Sequence, residues 1–219
     1  TMHGTDVDEL DIHEGHVISR GGEQRIPLID VIIARFGMQS GNLIGSGAYT
    51  PKYDKPDRET GQSEQVTAFW MVGGAGAEVS VDTETGALTV ERLVVAADVG
   101  RAINPATVRT QLTGAAVMQL GGTVSEELQY EEGQIINTGM GSYKVPGILD
   151  VPTTIEPVIV EFPMDDAPFG AKGVGESGTF AVSPAIAGAV EDAVGVRIRE
   201  LPLTGERIWR ALHAAEGED

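Results

Sequence analysis

The residues best placed to do chemistry lie in Gly170-Ala171-Lys172-Gly173-Val174-Gly175-Glu176-Ser177-Gly178-Thr179, between Pro168 and a helix expected to start near Ser183. The stretch holds one carboxylate, Glu176, among closely spaced glycines. Without Cβ atoms, Gly173, Gly175 and Gly178 let the backbone approach another object and reach conformations closed to other residues. Such a loop offers backbone N–H groups and one side chain to a ligand. The alternative is a surface turn carrying a solvated Glu, the usual state of a loop carboxylate.

Two amides accompany it. Gln111 lies on a helix expected to start at Asn104, among small and apolar residues, and Gln119 follows two turns on, roughly aligned with it. A Gln on an apolar face must find hydrogen bonds or lose free energy on burial. Neighbouring backbone or the amide-like edge of a heterocyclic cofactor would both serve.

Other chemistries find little support. The four His, at positions 3, 13, 16 and 213, show no metal-ligand spacing. The chain has no Cys, which removes disulfides, a thiolate nucleophile and iron–sulfur ligation by its own side chains. No Ser sits in a nucleophile elbow. Thr1 could act as an N-terminal nucleophile with its own amine, but no second feature supports it. Gly73-Gly74-Ala75-Gly76 falls within a strand pattern and opens no helix, so it reads as a bulge or close backbone contact and not as a dinucleotide fingerprint.

The elements that must position these residues alternate strand and helix patterns. His16–Arg20 reads as a strand, Pro27–Phe36 as a helix stopped by Gly37, and Leu43–Tyr49 as a possible strand. Residues 51–63 read as an exposed loop or internal boundary. Ala77–Asp82 and Leu88–Ala97 form a hairpin whose second strand is apolar enough to be buried. Asn104-Pro105 starts the helix that runs towards Gly121-Gly122, and Leu128–Ile136 is a second hairpin turning at Glu132-Gly133. Pro157–Phe162 is a strand leading into the glycine loop. Ser183-Pro184 opens a helix ended by Gly195, Val196–Leu201 is a strand, and Thr204 begins a last helix. Hairpins interleaved with helices imply an α+β fold with mixed and antiparallel sheets packed with helices, not a doubly wound parallel sheet.

A length of 219 residues, 41% hydrophobic and 22% charged, suits a globular protein with one core or two small ones. A net charge of −18 argues against nucleic acid and against anionic membrane surfaces. No apolar run nears the ~20 residues of a membrane span and no signal peptide is evident, so cytoplasm is the expected location. Residues 1–15 are acidic and offer no evident start to a fold, which suggests the downstream part of something longer.

Five segments in order carry a resemblance. Asp98-Val99-Gly100-Arg101-Ala102-Ile103-Asn104-Pro105, Gln111-Leu112-Thr113-Gly114-Ala115, Ser142-Tyr143-Lys144-Val145-Pro146, Gly170 to Glu176 and Val196-Arg197-Ile198-Arg199-Glu200-Leu201-Pro202-Leu203-Thr204 resemble the C-terminal part of the molybdopterin-binding subunit of the xanthine dehydrogenase/aldehyde oxidase family. The resemblance runs from about Gly41 to about Leu212. It implies residues 1–40 as a segment joining an upstream part and 41–219 as a C-terminal molybdopterin-binding domain of xanthine oxidase type. It also implies a molybdenum hydroxylase that oxidises an N-heterocycle or aldehyde with water-derived oxygen. In such enzymes the Glu matching Glu176 is the general base beside molybdenum. The residue matching Val174, between Gly173 and Gly175, contacts the cofactor through its backbone, and the Gln matching Gln111 hydrogen-bonds the pterin. The pterin dithiolene holds the metal, so no protein metal ligand is expected.

The resemblance further implies a cofactor shared with an upstream molybdopterin-binding chain, with 2Fe–2S clusters and FAD on an iron–sulfur subunit and a flavin subunit. Two departures stand out. The family's upstream cofactor and substrate segments are missing, and Ser177-Gly178 replaces a proline-containing continuation. The alternative from another class is a non-catalytic interaction subunit that keeps the fold.

Overall fold

The computed structural model describes residues 6, 9–19, 21, 24–38 and 44–216. It divides into two compact units, 1–48 and 49–219.

In the first unit, β1 (Leu10–His13), β2 (His16–Ser19) and β3 (Arg25–Pro27) form an antiparallel sheet in that order. The β1–β2 turn puts Glu14 and Gly15 at φ 46° and 73°. Helix α1 (Leu28–Phe36) follows, with Pro27 at its N-cap and Gly37 (φ 82°) closing it by an N–H bond to the Ile33 carbonyl. The strand expected at Leu43–Tyr49 is absent among the described residues 44–49, while Leu43 and Arg20 lie outside them.

The second unit holds the principal core. Its polar residues 51–63 carry no strand or helix, as expected of a loop. β4 (Gly73–Val81) and β5 (Leu88–Asp98) pair antiparallel, and β8 (Thr154–Val160) lies parallel to β5 on its other side. The hairpin turn is held by Asp82, whose Oδ1 accepts the Glu84 and Thr85 N–H groups, and by Gly86 at φ 74°. A parallel pair needs a crossover, and α2 (Pro105–Val124) supplies it. One βαβ unit is therefore set within the expected mixed α+β sheet.

Helices α2 and α4 (Val182–Val194) cover one face of the sheet. The apolar spacing of α2 puts Val108, Leu112, Ala116 and Leu120 on one stripe against Leu93, Val95 and Ala97 of β5 and Val182, Ile186 and Val190 of α4. Helix α5 (Gly205–Glu216) adds Ile208. The second hairpin, β6 (Tyr130–Glu131) and β7 (Gln134–Ile135), turns at Glu132-Gly133, followed by the single turn α3 (Met140–Tyr143).

Three further sequence expectations change. β8 starts at Thr154 with Pro157 inside it, which a strand at the sheet edge tolerates. α4 starts at Val182, so Ser183 is not its N-cap; its hydroxyl instead meets Gln119 Nε2 and Thr123 Oγ1, both at 2.7 Å. Val196–Leu201 is not a strand. That segment alternates as a strand would, but it makes no ladder, and the chain after it docks on α2 when the Leu203 N–H donates to the Thr123 carbonyl at 2.6 Å.

Candidate functional site

The glycine loop is built on the end of β5. There the chain turns at Gly100 (φ 65°), where a Cβ would collide with the Gly170 carbonyl. The space left free lets Gly100 bridge to Ala171. The Arg101 N–H donates to the Gly170 carbonyl and the Lys172 N–H to the Val99 carbonyl, each at 2.9 Å. The loop enters through two left-handed residues, Phe169 (φ 56°) and Gly170 (φ 75°). A bulky residue in that region is strained by about 1–2 kcal/mol, a cost that tends to appear at ligand sites.

An ion pair fixes the same junction. Lys172 Nζ donates to Asp98 Oδ2 at 2.6 Å, and both side chains are only 10% exposed. Asp98 Oδ1 accepts the Gly100 N–H at 2.9 Å and the Phe162 N–H at 3.2 Å. Burial pushes the Asp98 carboxyl up, but the bonds from Lys172, Gly100 and Phe162 outweigh it and hold the group below its ordinary value. The Lys172 ammonium also lies 5.5 Å from the centroid of the Phe162 ring.

The far end of the loop rests on α2. Ser177 is buried and its hydroxyl lies 3.4 Å from the Gly173 carbonyl. The Thr179 N–H and Oγ1 both donate to the Glu176 carbonyl, at 3.0 and 2.9 Å. A Cβ on Gly178 would lie 2.7 Å from the Leu112 carbonyl and 3.1 Å from Ala115 Cβ, so only glycine lets the loop settle there.

Between these anchors the loop presents unused polar groups. Among the described residues, the N–H groups of Gly173, Val174, Gly175 and Glu176 donate to no protein acceptor. The Glu176 side chain is exposed and pairs with nothing. Val174 turns its side chain onto the core while Gly175 faces open space. Gln111 is exposed with its amide free, one residue from the Leu112 carbonyl that Gly178 approaches. Gln111 and Glu176 therefore each lie within two positions of one loop–helix contact. The expected alignment of Gln111 with Gln119 does not hold. Eight residues at about 100° each leave them about 80° apart, and Gln119 turns inward to Ser183.

A groove of about 170 Å³ adjoins the loop, walled by Val99, Arg101, Asn104, Lys172 and Val174. A roomier one of about 600 Å³ lies away from it between Arg197, Arg199, Arg207 and Arg210. Three of those four arginines already pair with carboxylates, which cancels most of the charge there. Among the described residues no cluster of His, Cys, Asp or Glu is arranged to hold a metal ion, and no helix is long and apolar enough to cross a membrane.

Composition and pattern single out Glu176 and Gln111, but they miss the Asp98–Lys172 pair. Its members stand 74 positions apart, and only the β5–β8 topology brings them together.

The sequence model of the family described as molybdopterin cofactor-binding domain matches residues 1–152. Over 95% of its length the chain is 34% identical to the 6-hydroxypseudooxynicotine dehydrogenase complex subunit gamma of Paenarthrobacter nicotinovorans, of which it spans 26%. The fold superposes on the aldehyde oxidoreductase of Desulfovibrio gigas with a TM-score of 0.66 and 32% identity, covering 74% of this chain and 17% of that one. Against the quinoline 2-oxidoreductase of Pseudomonas putida 86 the TM-score is 0.69 at 27% identity, covering 95% of this chain and 26% of that one. The chain thus spans about a quarter or less of the length of these relatives.

Proposed function

The chain belongs to the molybdopterin cofactor-binding domain family, and from that premise we propose that it supplies the general base and part of the cofactor cradle of a molybdenum hydroxylase. The observation that carries this reading is Glu176. It is an unpaired carboxylate on a loop whose two ends are fixed and whose adjoining N–H groups are unused.

The residues present suit a polar, planar cofactor edge. Gly173 and Gly175 keep the loop surface free of side chains, and a row of free backbone donors lies beside the free amide of Gln111. A pterin rim rich in acceptors and donors would satisfy them, and groups of this kind are rarely left unmet on burial. When bound, the cofactor supplies the metal centre that takes up the substrate's two electrons.

Glu176 accepts, at a carboxylate oxygen, the proton released as water-derived oxygen attacks an electron-poor carbon of an N-heterocycle or aldehyde. Its exposure in this chain means that the walls excluding water are completed from elsewhere. Trp70, Phe162 and Phe169 stand 72–77% exposed, ready to form part of them. These 219 residues hold no Cys to ligate an iron–sulfur cluster, and the reading assigns onward electron transfer to an iron–sulfur subunit and a flavin subunit, with an upstream molybdopterin-binding chain completing the cradle.

Glu176→Gln tests this reading, because it keeps the loop's shape and removes the base. The expected result is a ~10²–10⁴-fold loss of kcat with molybdenum content and assembly retained. A variant keeping more than about a third of wild-type kcat would remove Glu176 from the base role.

A further inference from the structure

We propose that the Asp98–Lys172 pair is a positioning latch that sets where the 173–178 loop, and with it Glu176, is held; the catalytic part of the proposal rests on the Glu176 reading. Asp98 is a junction of four segments. It ends β5, accepts from Gly100 in the turn and from Phe162 after β8, and takes the Lys172 ammonium from the glycine loop. Four acceptor positions of a carboxylate are thus engaged in part by three donors from three places in the chain.

The backbone repeats the connection. The Lys172 N–H donates to Val99, and Gly100 bridges to Ala171. Beyond Lys172 the support changes character. Gly173 to Glu176 donate no backbone hydrogen bonds among the described residues, and the next fixed points are buried Ser177 and Gly178 on α2. The carboxylate is therefore hung between two anchors, and the ion pair is the upstream one. Neither Asp98 nor Lys172 touches solvent enough to serve as a surface pair, and neither is free to act as an acid or base itself.

A displacement of about 1 Å at a reacting group can cost ~10²-fold in rate, and a latch four residues from Glu176 has that leverage. Lys172→Met, which keeps the apolar stem and removes the charge, gives the test, with the full chain studied in the assembly in which it purifies. Amide hydrogen exchange at the bonded N–H groups that hold the loop, those of Arg101, Lys172 and Thr179, should quicken at least about tenfold while α2 and α4 core amides are unchanged. Turnover should fall by about 10²-fold, with KM moving less than about threefold and molybdenum content kept.

Lys172→Met strands a buried carboxylate, so Asp98→Asn/Lys172→Met is the companion variant. If the pair only stabilises the fold, the double variant recovers both melting temperature and kcat. If it positions the loop, melting temperature recovers while fast exchange and low kcat persist.

Exchange that is unchanged, or that rises throughout the domain, overturns the latch. So does localised loosening with full activity. The Glu176 assignment is judged separately by Glu176→Gln. Should that variant stay active, the exchange data still decide whether the pair orders the loop.

Discussion

Gln111 and Glu176 sit on different elements, yet both leave their polar groups free beside one loop–helix contact. If Gln111 serves the cofactor, Gln111→Ala should lower molybdenum occupancy after purification and leave the cofactor-free melting temperature nearly unchanged, since an exposed amide stabilises little. Truncation of a hydrogen-bond partner costs roughly 1–3 kcal/mol where the other group is left unmet, enough to lower retention severalfold. A sharp drop in melting temperature with full occupancy would make Gln111 structural.

Asp98 gives a pH prediction. Its folded value lies below the ordinary 3.8, so the ionised form stabilises the fold above that value. The contribution is lost as pH falls through the depressed folded value. Denaturant midpoints followed from about pH 5 to pH 2 should fall in the wild type, and Asp98→Asn should lack that share of the slope. Glu176 was legible at this scale because a lone carboxylate among glycines is unusual in sequence. The pairing of Asp98 with Lys172 was not, because nothing local to either residue names a partner 74 positions away.

At the scale of elements, the helices were the most legible. Asn104 caps α2 by accepting the Thr107 N–H at 3.2 Å, with Pro105 at the first helical position, as the pair of residues suggests. Gly195 ends α4 in the left-handed conformation for the expected reason. Val196–Leu201 misled because alternation records which side chains face inward, not whether a neighbour offers a ladder. Val196 and Ile198 are partly buried, yet the segment has no strand partner.

Gly73-Gly74-Ala75-Gly76 was correctly placed in a strand. A Cβ on Gly73 would collide with the Ala96 carbonyl and approach the Phe180 ring at 3.0 Å, which is close contact, while the register shift falls at Glu78/Val79. Gly178→Ala is the element-scale test. Its Cβ would sit 2.7 Å from the Leu112 backbone carbonyl, so either the loop lifts from α2 or the helix moves. The expected outcome is a stability loss of about 1–3 kcal/mol and a larger fractional loss of kcat than of melting temperature. The mirror substitution Gly175→Ala meets open space within this chain and should leave stability within about 0.5 kcal/mol. Any fall in molybdenum occupancy it causes would then mark contact with the cofactor.

At the scale of the whole molecule, the uncovered surface argues for assembly. Helices cover one face of the β4-β5-β8 sheet. The other carries Gly74, Gly76, Val94, Ala96, Val158 and Val160, with the two valines of β8 exposed by 43% and 45%. The same face also carries the Arg92–Glu78 and Arg92–Glu156 ion pairs, so its apolar part is the end nearer Gly74, Val158 and Val160. Trp70, Val72, Phe162 and Phe169 are exposed near the site-bearing end of the chain's strands, and Ile148 and Leu149 stand 87% and 95% exposed on the arm before β8.

These residues belong to a domain that spans about a quarter of its relatives' length. On the function proposed above, their cover is a molybdopterin-binding polypeptide, with an iron–sulfur protein and a flavoprotein completing the electron path. The contact with the molybdopterin-binding partner should exceed the ~2,000 Å² at which obligate interfaces begin, because it closes one catalytic site. Expressed without partners, the chain should expose enough apolar surface to aggregate or bind a hydrophobic dye. Co-expressed with the rest of the system it should elute as one complex containing molybdenum. Light scattering during size exclusion, with metal analysis of the peak, decides the matter. A monodisperse monomer that unfolds cooperatively and hydroxylates a substrate unaided would refute the shared-site reading.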